Sequence, residues 1–159
     1  MLEELTLAGG LLQRLFVRER ASVIIPCYNE ARTLGAVIGE AKKCWLTKEI
    51  IVVDDGSSDS SAKIAIEHGA KLVQHRKNMG KGAAIMSGAM AAKNPVLVFI
   101  DADLENFSHE TIEKLALPVA KGEARFCKAT FDREAGRVTE LVAKPLLELI
   151  YPEAKLSQP

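Results

Sequence analysis

The 159 residues fit one domain, and 48% hydrophobic side chains are enough to bury a core, which argues against a disordered chain. Basic and acidic side chains number 21 each, so the formal charge is zero and no global field draws the chain to nucleic acid or an anionic membrane; an anionic ligand must be held by local groups. Cys27, Cys44 and Cys127 are odd in number, far apart and without a C-x-x-C, which points to three reduced, mostly buried thiols in a cytoplasmic protein rather than to a disulfide framework or a zinc site.

The opening Met1-Leu-Glu-Glu-Leu-Thr-Leu places acidic residues where a secretory leader has basic ones, and no run approaches the roughly 20 apolar residues that span a bilayer. No transmembrane segment is expected. Within residues 1–20, an amphipathic helix from about Glu3 to Val17 is expected to pack its leucines on the domain or a partner. Beyond it, short apolar runs alternate with helical patterns. Val23 to Ile25, Glu49 to Val53, Ala70 to Val73 and Val96 to Ile100 read as buried strands, and Ala31 to Lys43, Ser60 to His68, Lys81 to Ala92 and Ser108 to Ala120 as helices. Asp59 and its serines supply N-caps, and Gly69 a C′ residue. A strand from Ala124 to Ala129 and a helix from about Val138 to Ile150 complete the pattern. The alternation predicts an α/β three-layer sandwich around a mainly parallel sheet with right-handed crossovers.

In such sheets ligands bind beyond the carboxyl ends of the strands, and the polar clusters fall there. Pro26-Cys-Tyr-Asn-Glu30 follows the first strand and Asp54-Asp-Gly-Ser-Ser-Asp59 the second. Gly56 permits a sharp turn, and a carboxylate beside it either accepts from a ribose or base or caps the next helix. Asn78-Met-Gly-Lys-Gly-Ala-Ala joins flexible glycines, a lysine and a helix start, which suits a phosphate, although His75 and Gly82 stand where a Walker A loop needs Gly and Ser or Thr. Lys81 is either a diphosphate partner or a solvated lysine. Asp101-Ala102-Asp103 ends the fourth strand with two carboxylates that can hold a hard divalent cation. His68, His75 and His109 lack metal-ligand spacing and read as exposed loop or helix histidines.

Together, Val23-Ile-Ile-Pro-Cys-Tyr-Asn-Glu30, Ile51-Val-Val-Asp-Asp-Gly-Ser-Ser-Asp59, Asn78-Met-Gly-Lys-Gly82 and Asp101-Ala-Asp103 resemble the nucleotide-sugar half of a GT-A, family 2 glycosyltransferase over residues 21–106. The resemblance implies a Rossmann-like nucleotide-sugar-binding fold, a nucleoside pocket lined by Pro26, Tyr28, Glu30 and Asp55 with Ser57 nearby, a diphosphate met by Gly80 and Lys81, and Mg²⁺ or Mn²⁺ held by Asp101 and Asp103, with Ala102 between them. Lys81 and Asp103 are the implied catalytic groups. The stretch from Phe126 to Leu146 is similar to the glucosyl-3-phosphoglycerate synthases and their mannosyl relatives, which implies that Gly136, Arg137 and Thr139, in an acceptor region starting near residue 124, contact a phosphoglycerate acceptor.

The resemblance implies a metal-dependent hexosyltransferase using UDP-glucose in preference to GDP-mannose, with retained configuration. Rival readings are a lipid-phosphate or polysaccharide acceptor, a nucleotide-sugar-binding fragment without turnover, and a receiver-like phosphoacceptor built on Asp54 and Asp55. Members of the family run longer, so the chain resembles their front portion. Leu141, Val142, Leu146, Leu147 and Ile150 would then form an exposed apolar face, which a homodimer would cover.

Overall fold

Strand β1 (Ala21–Cys27) is the spine of the sheet, buried except for the half-buried Pro26, with Val23, Ile24 and Ile25 inaccessible to solvent. The computed structural model describes residue 17 and residues 19–129. Along it follow α1 (Leu34–Lys43), β2 (Thr47–Asp54), α2 (Ser61–Glu67), β3 (Lys71–Gln74), α3 (Lys81–Ala91), β4 (Val96–Phe99) and α4 (His109–Ala120). The four strands form one parallel sheet in the order β3-β2-β1-β4. The chain steps outward from β1 to β3 and then crosses back to place β4 on the other side of β1. That reversal opens a crevice at the carboxyl ends of β1 and β4.

Both faces of the central strands β1 and β2 are covered, which is why they read as continuous apolar runs, whereas β3 has no buried residue and β4 leaves Leu97 and Phe99 exposed on one face. Val23, Ile25, Ile50 and Val52 point to one side, into a core with Leu34, Val37 and Ile38 of α1, Ala65 of α2 and Ile112 and Ala116 of α4. Ile24, Ile51 and Val53 point to the other, against Ala84 of α3. Each branched side chain so buried contributes roughly 1.5–3 kcal/mol. The second layer is thin because α3 lies close: a Cβ on Gly88 would come within 2.4 Å of Ile24 Cγ2.

The predicted strands and helices match in place, with corrections at their ends and in burial, since β3 and one face of β4 lack the burial expected of them. Helix α1 begins at Leu34 rather than Ala31, because residues 31–33 form a turn in which the amides of Thr33 and Leu34 both return to Glu30 O, while those of Glu30 and Ala31 are held by Ser61 Oγ and Asp59 Oδ2. Gly69 does terminate α2. With φ of +62°, it donates to Ile66 O, while Ala70 N reaches Ala65 O, the paired bonds of a Schellman end. The strand expected over 124–129 does not form. A strand requires a ladder partner and a buried face; after Gly122 turns with φ of +75°, Ala124 N bonds back to Pro118 O and Phe126 is exposed. The N-terminal helix, apart from Val17, and the helix over 138–150 lie outside the described residues, as does the predicted dimer face. The chain divides into two units, residues 1–128 and 129–159. Among the described residues, no helix is long and apolar enough to cross a membrane.

Candidate functional site

The ladder bonds run past the strand ends and bring the loops to a common rim. Asp55 N donates to Cys27 O (2.8 Å), His75 N to Asp54 O (2.9 Å) and Ile100 N to Ile24 O (3.0 Å). At the crevice between β1 and β4 they enclose a cavity of about 300 Å³. Pro26, Tyr28, Glu30, Asp55, Lys81, Asp101, Ala102 and Asp103 line it, all of them given a site role from sequence, together with Cys27, Asn78 and Ala84, which lie in the same motifs without one. A broader hollow lined by Lys42, Lys48, Lys71 and Lys93 sits at the opposite, amino end of the strands, away from the crevice.

The loop after β2 serves mainly to hold its neighbours. Ser57 Oγ accepts from Asn29 N (2.9 Å), Asn29 Oδ1 accepts from Ser58 N (2.8 Å), and Asp59 accepts from the amides of Ala31 and Ser61. Asn29 takes a left-handed φ of 58°, a conformation that asparagine tolerates and that turns Tyr28 and Glu30 toward the cavity. Ser57 and Gly80 do not line the cavity. Gly80 stands at the N-cap of α3 with φ of +91°, immediately before Lys81.

Asp54 and Asp55 do not cap α2. Asp54 is fully buried, its oxygens taken by Ser57 N (3.1 Å) and Gln74 Nε2 (3.0 Å). Asp55 accepts from Met79 N (2.9 Å), Gly80 N (2.8 Å) and a ring nitrogen of His75 (2.6 Å). Burial alone pushes its carboxyl upward, but the bonds from His75 and the two amides outweigh this and hold it below the usual range. Neither aspartate offers the accessible oxygen that a receiver-like phosphoacceptor needs. The strand order also differs from the 2-1-3-4-5 order of that class.

At the cavity mouth Lys81 Nζ lies 2.6 Å from Asp101 Oδ1, with both side chains half or more exposed. Ala102 is buried and its carbonyl accepts from Thr33 Oγ1 (2.7 Å), so the small middle residue anchors the tripeptide while the flanking carboxylates face outward. Two exposed carboxylates on a short anchored turn are a hard oxygen donor set that suits Mg²⁺ or Mn²⁺ if other ligands complete the shell. Among the described residues no third carboxylate, histidine or cysteine joins them.

His75 corrects the sequence reading. It is not an exposed loop histidine: its side chain is 10% exposed and joins Asp55 to Ser87 Oγ (2.9 Å). Only its position just after β3, opposite the loop after β2, signalled this. Cys27 is also buried at the cavity wall, and burial pushes its thiol up. Gly136, Arg137 and Thr139 lie outside the described residues.

The sequence model of glycosyl transferase family 2 matches residues 22–155. The chain belongs to that family. A glucosyl-3-phosphoglycerate synthase of Petrotoga mobilis is 34% identical over 158 residues, an alignment covering 84% of this chain and 49% of the relative. The crystal structure of the Mycobacterium tuberculosis glucosyl-3-phosphoglycerate synthase in complex with Mn²⁺, UDP-glucose and phosphoglyceric acid superposes with a TM-score of 0.79 at 34% identity, covering 94% of this chain and 57% of that one. Mannosyl-3-phosphoglycerate synthase of Rubrobacter xylanophilus gives 0.77 at 32% identity, covering 89% and 51%. This family member therefore has the GT-A fold, and it spans about half the length of the relatives that it matches.

Proposed function

We propose that the chain carries the donor site of a metal-dependent hexosyltransferase that moves glucose from UDP-glucose to a phosphoglycerate-like acceptor. The observation that supports it most is the convergence of Tyr28, Glu30, Lys81, Asp101 and Asp103 on one cavity at the switch point of a parallel sheet. A nucleotide sugar asks for an apolar and aromatic wall for the base, acceptors for base and ribose, and cationic groups for the diphosphate. Pro26 and Tyr28 supply the wall and Glu30 the acceptor, while Asp55, its oxygens engaged by His75 and two amides, holds the turn beside them. Gly80 forms the turn that sets Lys81 at the cavity mouth, and Lys81 supplies the charge.

Asp101 and Asp103 would hold Mg²⁺ or Mn²⁺, which supplies Lewis-acid neutralisation of a departing diphosphate. Lys81 adds to that neutralisation from the first turn of α3, where the free amides and the helix dipole also favour an anion. For the acceptor, Gly136, Arg137 and Thr139 carry the right chemistry: a guanidinium pairs with carboxylate or phosphate, and a hydroxyl supplies a further donor. Retention of the anomeric configuration follows the family resemblance. Residues 21–106 form the nucleotide-sugar half in this reading, and the acceptor region begins near residue 124.

The test is transfer of labelled glucose from UDP-glucose by the full chain with Mn²⁺, offering 3-phosphoglycerate beside a polyprenyl phosphate. Transfer to 3-phosphoglycerate supports the reading, and transfer to the lipid phosphate alone contradicts the acceptor. Tight UDP binding without transfer or hydrolysis would leave a nucleotide-sugar-binding module.

A further inference from the structure

We propose that His75 is a positioning residue of the donor site, fixing Asp55 and, through Asp55, the turn that aims Lys81 into the cavity. The inference rests on a closed circuit of hydrogen bonds. His75 follows β3 and is set in place by its amide bond to Asp54 O. One ring nitrogen lies 2.6 Å from Asp55 Oδ1, the other 2.9 Å from Ser87 Oγ. The same Asp55 Oδ1 accepts from Met79 N and its Oδ2 from Gly80 N. Gly80 begins α3, and Ser87 lies two turns along that helix. The His75–Asp55 pair therefore holds α3 at its start and again at Ser87, and Lys81 lies between these two points.

The chemistry of the circuit assigns the roles. An ionised carboxylate only accepts, so the ring nitrogen facing Asp55 carries the proton, and in the neutral ring the Ser87 hydroxyl donates to the other nitrogen. An order of aspartate, histidine and serine also occurs in acyl transfer, but Ser87 sits inside a helix whose amides are used along the chain, which leaves no donors for an oxyanion. The circuit therefore serves position. It is needed because Gly80 adopts φ of +91° and ψ of 155° with no side chain of its own, and the other acceptor of its amide, Asn78 Oδ1 at 3.0 Å, belongs to the same exposed turn. Without the imidazole, the Asp55 carboxylate loses a charge-assisted bond in a nearly dry site and is free to rotate away from the two amides.

The consequence for a nucleotide rests on the donor-site reading, whereas the consequence for the amides does not, so the two fail separately. In the full chain, His75→Ala is expected to speed hydrogen exchange at Met79 and Gly80 by about tenfold in the absence of ligand. It should weaken UDP binding in Mn²⁺ by about tenfold, or about 1.4 kcal/mol, and UMP binding by less than about threefold, because the turn serves the terminal phosphate. His75→Asn, whose amide can take the place of the proton-bearing ring nitrogen, should restore both to within about threefold. Ser87→Ala removes only the distal bond and should show the same ordering at about threefold, so the test survives if His75→Ala folds poorly. Exchange at 79 and 80 unchanged in His75→Ala and Ser87→Ala, or equal losses for UMP and UDP, would overturn the proposal. If the wild-type chain binds neither nucleotide, the donor-site reading fails and the amide exchange alone decides the positioning role.

Discussion

Replacing Gly56 by alanine tests how the loop after β2 holds the site. Gly56 has φ of +76°, and a Cβ there would lie 2.6 Å from the carbonyl carbon of Lys77 and 2.8 Å from Asn78 N. Those are backbone atoms and cannot yield as a side-chain tip does. Ordinary contact begins at 3.4 Å, so residues 77 and 78 must retreat by several tenths of an ångström. The left-handed conformation costs an L-residue roughly 1–2 kcal/mol. The retreat also strains the amide bonds from Met79 and Gly80 to the buried Asp55, worth about 1.5–3 kcal/mol for a charged acceptor. The smaller freedom of alanine in the unfolded chain returns about 0.4–1 kcal/mol. A net loss of roughly 2–4 kcal/mol is expected, a large part of the roughly 5–15 kcal/mol that stabilises a domain. Urea unfolding followed by circular dichroism measures it. Gly69→Ala is the control: its φ is +62°, but the nearest atom to the added Cβ is the flexible tip of Lys42 at 3.4 Å, so only the backbone strain of roughly 1–2 kcal/mol remains. Equal losses in the two variants, or a Gly56→Ala protein within about 1 kcal/mol of wild type, would refute the reasoning.

Other perturbations separate packing from chemistry. Gly88→Ala should destabilise by about 1–3 kcal/mol because its Cβ meets Ile24 at 2.4 Å, whereas Gly39→Ala in α1, with nothing within 4 Å, should stabilise by about 0.5–1 kcal/mol; the same urea titration reads both. Iodoacetamide should label Cys127 before Cys27 and Cys44, which are buried, with burial also raising the Cys27 thiol; mass spectrometry of digests gives the order. The folded-state pKa of Asp55 is lowered, so its stabilising contribution is present above the unfolded value of about 4 and is lost as pH falls through the folded value. The urea midpoint should therefore drop on acidification below about pH 4, and Asp55→Asn should flatten that drop while lowering stability at neutral pH.

Much of this was legible because strands buried on both faces announce themselves as apolar runs and the polar groups cluster at their ends. The Asp101-Ala102-Asp103 turn, Lys81 at a helix start and Gly69 at a helix end each follow from local chemistry, and each stands where the pattern placed it. What the pattern could not carry was partnership across the sheet. Asp55 and His75 are 20 residues apart and meet only because β2 and β3 pair in a register that sets Asp54 beside Gln74. The same limit explains the misread 124–129 segment, whose apolar residues suggested a strand but which joins no ladder among the described residues. It also explains why Ser57 and Asp59 serve the neighbouring loop: their partners Asn29 and Ala31 are each 28 residues away.

The most direct test of the donor site is calorimetric titration of the full chain with UDP and with GDP, each with and without Mn²⁺, in wild type and Asp101→Ala. The account predicts that UDP binds more tightly than GDP, that Mn²⁺ strengthens the binding, and that Asp101→Ala removes the metal dependence. UDP binding that is indifferent to Mn²⁺ and to Asp101, or no binding of either nucleotide, would contradict it.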